Sequence, residues 1–464
     1  MTHPSIHHVI EPFVLQSGTG SVAENAKRIK QAIDEQLQYI SSPTAYSNLV
    51  SRLAESGIVL LNFEARDSVH RYRLVGLSTL SCLLDINDEV NPDRRMYIGD
   101  EFMKVLGNDK SSLETNTEVL GCAAEAVGHL ARVATVTEFD MLESTYLPTA
   151  LSWLSDAKSE SHRYSGALVV KQLALHSPEI IFAKRKLLFE AIWDIVSDRN
   201  ALVRRAGAVA FEEALMLISQ RESMGEYLSL SLKFIETGLN PLAKENENLV
   251  GALLILDILV SGSAVPVAEL LTTMKNKETD ISDVIRRVLD RRTSRNTDVK
   301  VLVGKLIPTL AQGFPTVFLH PNEFTAPDTF LSCSIRHLLD EVTSSRRANA
   351  YTSLGLLFKV LSSSLHQQTE LVPEILEAVK SGFSNPFCIE ATQCMGNILS
   401  VNALARRLVT PAMVDKMFGG GLSLDLIECL KLAMRYVPSV RRHVQINLGA
   451  HITNVLQRNT VRLD

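Results

Sequence analysis

LFEAIWDIVSDRNALVRRAGAVAFEEALML, residues 188–217, carries the pattern that decides the fold. Its second half places Val203, Ala206, Ala210, Ala214 and Leu217 three or four residues apart, the period of a helix with one buried face. Asp198 marks a short turn ahead of it. Val203-Arg204 opens the second segment, and Ala206 and Ala208 are small enough to let that helix lie close to a neighbour. The stretch reads as a helix, a turn and a second helix. Trp193, within 189–196, is expected to anchor the core, so that Trp193→Ala would cost ~3–5 kcal/mol.

The same grammar recurs along the chain. Asp298-Val299-Lys300, followed by Leu302 and Val303, is a second copy. Marking the equivalent point in each second helix gives Arg71, Val119, Arg163, Arg204, Leu249, Lys300, Ala348, Ile389 and Leu426. Their separations scatter around the roughly 40 to 47 residues of HEAT or armadillo repeats. Nine helix pairs over 25–455 are expected, between a flexible N-terminal tail (1–24) and a C-terminal tail (456–464). The fold class is all-α, an α-solenoid in which each unit packs only on its neighbours. Ser42-Pro43, Asn91-Pro92, Ser177-Pro178 and Thr410-Pro411 read as helix starts, because proline at the first helical position loses no needed N–H. Gly166-Ala167, Gly251-Ala252 and Gly355 supply further close-packing positions.

Composition narrows the function. At 464 residues the chain is too long for one compact core. A net charge of -5 provides no general positive field for nucleic acid, and no aromatic residue interrupts the basic run at 286–295 to stack on bases. The six cysteines are scattered, as reduced and mostly buried thiols would be. The first fifteen residues lack the form of a signal peptide. The most apolar stretch, 249–260, is interrupted by Asp257 and is shorter than the ~20 residues of a membrane span, so a buried helix in a cytosolic protein is expected.

Catalytic signatures are missing from the sequence. There is no phosphate-binding loop, and Gly419-Gly420-Gly421 reads as a turn between helices. No D-F-G, H-R-D or G-x-S-x-G occurs. Among His3, His7 and His8 there is an i, i+4 pair, His3 and His7, but the terminal segment lacks the further ligand a metal site needs. Asp85, Asn87, Asp88 and Glu89 lack the glycine and closing glutamate of a calcium loop. No catalytic residue, cofactor or metal is expected. The remaining feature is the basic run Arg286, Arg287, Arg291, Arg292 and Arg295. On one helix, Arg287, Arg291 and Arg295 would form a stripe able to hold carboxylates or phosphates, and they are the candidate partner-binding residues. The alternative is a solvated face partly neutralised by Asp283, Asp290 and Asp298.

The segments ALSWLSDAKSESHRYSGALVVKQLALHSPEIIF (150–182) and AIWDIVSDRNALVRRAGAVAFEEALMLISQRE (191–222) resemble the N-terminal HEAT block of the TOR (target of rapamycin) protein kinases. The resemblance continues in order through 251–260, 291–318, 348–361 and RYVPSVRRHVQ (435–445), and covers roughly residues 25–455. It implies an arm of a large Ser/Thr kinase of the phosphatidylinositol-3-kinase-related class. Such an arm would serve TOR self-association and bind a Raptor-like subunit and, in animal members, a small GTPase. It further implies a cytoplasmic protein, peripheral at lysosome or vacuole membranes through partners, with the kinase domain absent from this segment. The competing reading is a free-standing HEAT adaptor of the transport or phosphatase-scaffold type.

Overall fold

The computed structural model describes residues 7–15, 22–63, 69–86, 93–108, 112–219, 224–240, 246–261, 265–276, 280–319, 329–345, 348–361, 371–383, 388–401, 406, 409–418 and 422–460. Among them every regular element is helical. The chain divides into two compact units, Met1–Tyr227 and Leu228–Asp464.

The first unit contains α1 (Glu11–Leu15), α2 (Val22–Leu37), α3 (Pro43–Leu61), α4 (Val69–Leu83), α5 (Arg94–Leu106), α6 (Leu113–Val133), α7 (Val136–Met141), α8 (Leu147–Leu154), α9 (Glu160–His176), α10 (Pro178–Ala183), α11 (Arg185–Val196) and α12 (Ala201–Ser219). Helices α2, α4, α6, α9 and α12 pack in succession as one row. Helices α3, α5, α8 and α11 form a second layer, each against the row helix that follows it.

The second unit begins within α13 (Met224–Gly238). It continues with α14 (Asn246–Val260), α15 (Val267–Asn276), α16 (Ile281–Asp290), α17 (Thr297–Gly313), α18 (Pro315–Leu319), α19 (Phe330–Asp340), α20 (Ala348–Val360), α21 (Val372–Gly382), α22 (Cys388–Val401), α23 (Pro411–Met417), α24 (Leu424–Tyr436) and α25 (Arg441–Thr460). Its row is α14, α17, α20, α22 and α24, with α16, α19 and α21 each packed on a row helix. All nine positions marked in the sequence fall in these two rows. The fold class is that of HEAT-type α-solenoids.

The turn at Asp198 shows how the sequence builds a unit. Asp198 accepts from the Asn200 backbone N–H at 2.8 Å, and Asn200 Oδ1 accepts from Leu202 N–H at 2.9 Å, satisfying donors that the start of α12 would leave unpaired. Arg204 reaches back to the carbonyls of Asp198 and Arg199 at 2.8 and 2.9 Å. Arg163 of α9 then ties the turn to the preceding repeat, its Nε 2.5 Å from Asp198 Oδ2. Small residues set the spacing of the layers: a Cβ on Gly166 would sit 2.7 Å from the Ala150 carbonyl oxygen of α8.

Trp193 differs from its expected role. It is half-buried at the edge of an aromatic cluster, 6.1 Å from Phe189 and 5.5 Å from Phe211 between ring centroids. The buried anchors are Phe189 of α11 and Phe211 of α12, whose rings meet between the two helices with centroids 5.6 Å apart. The expected tail 1–24 also needs correction. Ile10 and Val14, four residues apart, are buried, and α1 packs on α4. The Arg71 guanidinium donates to the Phe13 carbonyl at 3.0 Å, and the His7 backbone N–H to Ser56 Oγ at 3.0 Å. At the other end, α25 continues to Thr460, beyond the expected 455.

Of the expected caps, Ser42 accepts from Ala45 N–H and Thr410 from Met413 N–H. Ser177 instead donates its hydroxyl to the Ala131 carbonyl across the layer. Asn91-Pro92 lies outside the described residues. Asp257, the charge inside the apolar α14, is held by Lys305 of α17 at 2.5 Å. Cys82, Cys122, Cys333, Cys394 and Cys429 are free, the last two fully buried; the side chain of Cys388 lies outside the described residues. Among the described residues no helix is long and apolar enough to cross a membrane.

Candidate functional site

The basic run does not form the expected stripe. Helix α16 stops at Asp290, Arg291–Thr293 tightens into a 3-10 turn, and Asn296 caps α17 by accepting from Asp298 N–H at 2.8 Å. That cap starts a new helix, so Arg295 leaves the face that carries Arg287. Arg287 and Arg291 instead meet Leu239, Asn240, Arg286 and Asp290 around a cleft of about 330 Å³. Asp283 pairs with both Arg286 and Arg287, the latter at 2.5 Å, and Asp290 lies 3.6 Å from Arg286. Arg291 Nη2 donates to the Leu239 carbonyl at 3.1 Å. Arg295 is exposed beside the cleft-forming segment.

A second concavity, of about 610 Å³, lies over α4, α6 and α9 in the first unit and is lined in part by Cys82, Glu118, Cys122, Glu125, Arg132 and His176. At its edge is a constellation the sequence reading missed. Ser81 Oγ lies 3.0 Å from His129 Nδ1, His129 Nε2 lies 2.7 Å from Asp85 Oδ1, and Lys30 Nζ lies 2.8 Å from Asp85 Oδ2. Ser81 lies in the last turn of α4 and Asp85 four residues on, in the turn just past its end, and His129 enters one repeat later on α6. That offset is the only sequence signal. Burial works against ionisation of Asp85, but hydrogen bonds from Lys30 and His129 outweigh it and hold the carboxyl below its usual range.

The arrangement imitates a Ser-His-Asp relay without the rest of the machinery. Ser81 sits inside α4, where backbone N–H groups are spent on the helix and cannot cradle an oxyanion. Lys30 already occupies the second oxygen of Asp85, which weakens its hold on an imidazolium. Its chemistry is that of a polar lock joining α2, α4 and α6. The neighbouring thiols of Cys82 and Cys122 are pushed up to about 11 by burial and stay protonated near neutrality.

Other sequence candidates are placed as follows. His7 is buried against α3, while His3, Gly419-Gly420-Gly421 and 87–89 lie outside the described residues. Among the described residues no three His, Cys, Asp or Glu side chains come together as metal ligands would.

Paired helices stacked in rows define a helical-repeat solenoid. No protein-family model matches the chain. In sequence it is similar to the Serine/threonine-protein kinase TOR of Arabidopsis thaliana, 24% identical over 355 residues, covering 75% of this chain and 13% of that protein. It is also similar to Serine/threonine-protein kinase tor1 of Schizosaccharomyces pombe, 20% identical over 362 residues, with 76% and 14% covered. The chain spans only about a seventh of the length of these TOR kinases to which it is similar. Among solved structures, yeast importin-beta (Kap95p) superposes over 97% of this chain and 55% of its own with a TM-score of 0.60 at 12% identity, a likeness of fold alone.

Proposed function

We propose that the chain is the N-terminal scaffold arm of a TOR-type Ser/Thr kinase and acts by binding proteins, with the phosphoryl-transfer step carried outside these 464 residues. The observation that supports this most is the similarity to TOR kinases across three quarters of the chain, combined with a fold built of stacked helix pairs. On this reading the surfaces serve self-association and capture of a Raptor-like subunit and of a regulator such as a small GTPase. The setting is cytoplasmic, with lysosome or vacuole membranes reached through those partners. The chain needs no cofactor for this role, and Arg287, Arg291 and Arg295 are among its partner-facing groups.

Immunoprecipitation with an antibody to an exposed segment of α25, followed by mass spectrometry, tests the proposal. Recovery of a Raptor-like subunit together with kinase-domain peptides supports it. Recovery of transport receptors or phosphatase subunits in their place contradicts it and favours a free-standing adaptor.

A further inference from the structure

We propose that the cleft between the end of α13 and α16 is a docking site for a short acidic peptide segment of a protein partner. The proposal rests on the scaffold reading and names the chemistry of one of its surfaces. The cleft's charge is unbalanced by construction. Between 283 and 298 five arginines stand against three aspartates, a local surplus of two positive charges in a chain whose net charge is -5. Asp283 is shared by the guanidiniums of Arg286 and Arg287, and Arg286 also faces Asp290. Arg291 is joined to a neutral group, the Leu239 carbonyl, which takes one of the five N–H donors of its guanidinium. Arg292 and Arg295 are both exposed on the segment that follows.

The dimensions favour a few side chains rather than a folded surface, since about 330 Å³ is at the small end of ligand clefts. Planar guanidiniums held in place by Asp283 and Leu239 are pre-set to receive carboxylates in pairs. Arg291 also covers the carbonyl end of α13, which would otherwise repel an anion.

Fluorescence anisotropy with a labelled hexaglutamate peptide and the full 464-residue chain at low salt tests the proposal. Arg287→Gln and Arg291→Gln, which line the cleft, should each weaken binding about threefold to fivefold, and Arg295→Gln, beside it, by less, as expected for part-exposed charge pairs, and salt should weaken it further. Arg205→Gln, at an exposed arginine on α12, should leave it unchanged. Because Arg295 is exposed, its variant remains readable should an Arg291 variant fail to fold. Absence of binding, equal weakening by Arg205→Gln, or binding of a phosphoserine peptide but not of hexaglutamate would each overturn the proposal. Failure here with continued co-precipitation of a Raptor-like subunit removes the cleft and leaves the scaffold reading in place.

Discussion

His129 of α6 places Nε2 2.7 Å from Oδ1 of Asp85, in the turn that follows α4, tying two row helices one repeat apart. With Ser81 on the other ring nitrogen, the tautomer carrying its proton on Nε2 satisfies both partners. If this is a lock and not a relay, Ser81→Ala removes about 1 kcal/mol of stability and leaves hydrolysis of an activated ester at the buffer rate. Ester turnover by the wild-type chain that disappears in Ser81→Ala would contradict this.

The Arg163–Asp198 pair is desolvated, with side chains 13% and 6% exposed. Asp198→Ala strands the Arg163 charge and unties the turn before α12, and should cost about 3 kcal/mol. Urea unfolding of Arg163→Met, Asp198→Ala and the double variant provides the check. The double variant should lose less than the sum of the singles; strict additivity would mean the two side chains do not interact.

Two glycines predict opposite signs. A Cβ on Gly207 of α12 would collide with Ile195 Cγ2 of α11, whereas one on Gly121 of α6 meets nothing within 4 Å. Gly207→Ala should destabilise by about 1–3 kcal/mol through overpacking. Gly121→Ala should stabilise by up to about 1 kcal/mol through helix propensity. Thermal melts of the two variants that shift in the same direction would refute this packing.

His337 of α19 is buried, and its Nε2 has no hydrogen-bond partner. Burial holds its pKa below 6.5; Arg292 and Lys300 reinforce the shift, while Glu341 and Asp340 oppose it. The folded chain therefore binds this proton less readily than the unfolded chain. The stabilising contribution is full above pH 6.5 and is lost as pH falls through the lower folded value. His7 and His176 are shifted the same way, also chiefly by burial. The midpoint of thermal unfolding should fall on acidification from pH 7 to 5.5, and less steeply in His337→Leu. Parallel profiles for the two chains would show that His337 does not carry the effect.

Phe211 is fully buried, whereas Trp193, the anchor expected from the sequence, is not. Phe211→Ala should cost about 3–5 kcal/mol and Trp193→Ala clearly less. Equal losses in denaturant unfolding would place the indole in the core after all.

The repeat was legible because its parts are local. Asp198, Arg204 and the small residues of α12 act within a few positions of one another, and the nine marks consequently land in the row helices. The rest depended on distance. Ser81, Asp85 and His129 join only when one repeat stacks on the next, and no spacing within a single helix announces it. The arginine stripe failed for the converse reason. A four-residue spacing implies a shared face only while the helix continues, and here it ends at Asp290, with the 3-10 turn Arg291–Thr293 separating Arg287 from Arg295. Burial of Val9, Ile10 and Val14 in the supposed tail was likewise written in a run too short to stand out from its polar neighbours.

The most direct measurement is a denaturing immunoblot of native cell extract with an antibody to an exposed peptide of this chain. If the chain is the arm of a TOR-type kinase, the antibody detects a single band several times larger than 51 kDa, and peptides of a kinase domain are recovered from it. A band at 51 kDa with no such peptides would contradict that claim and leave a free solenoid.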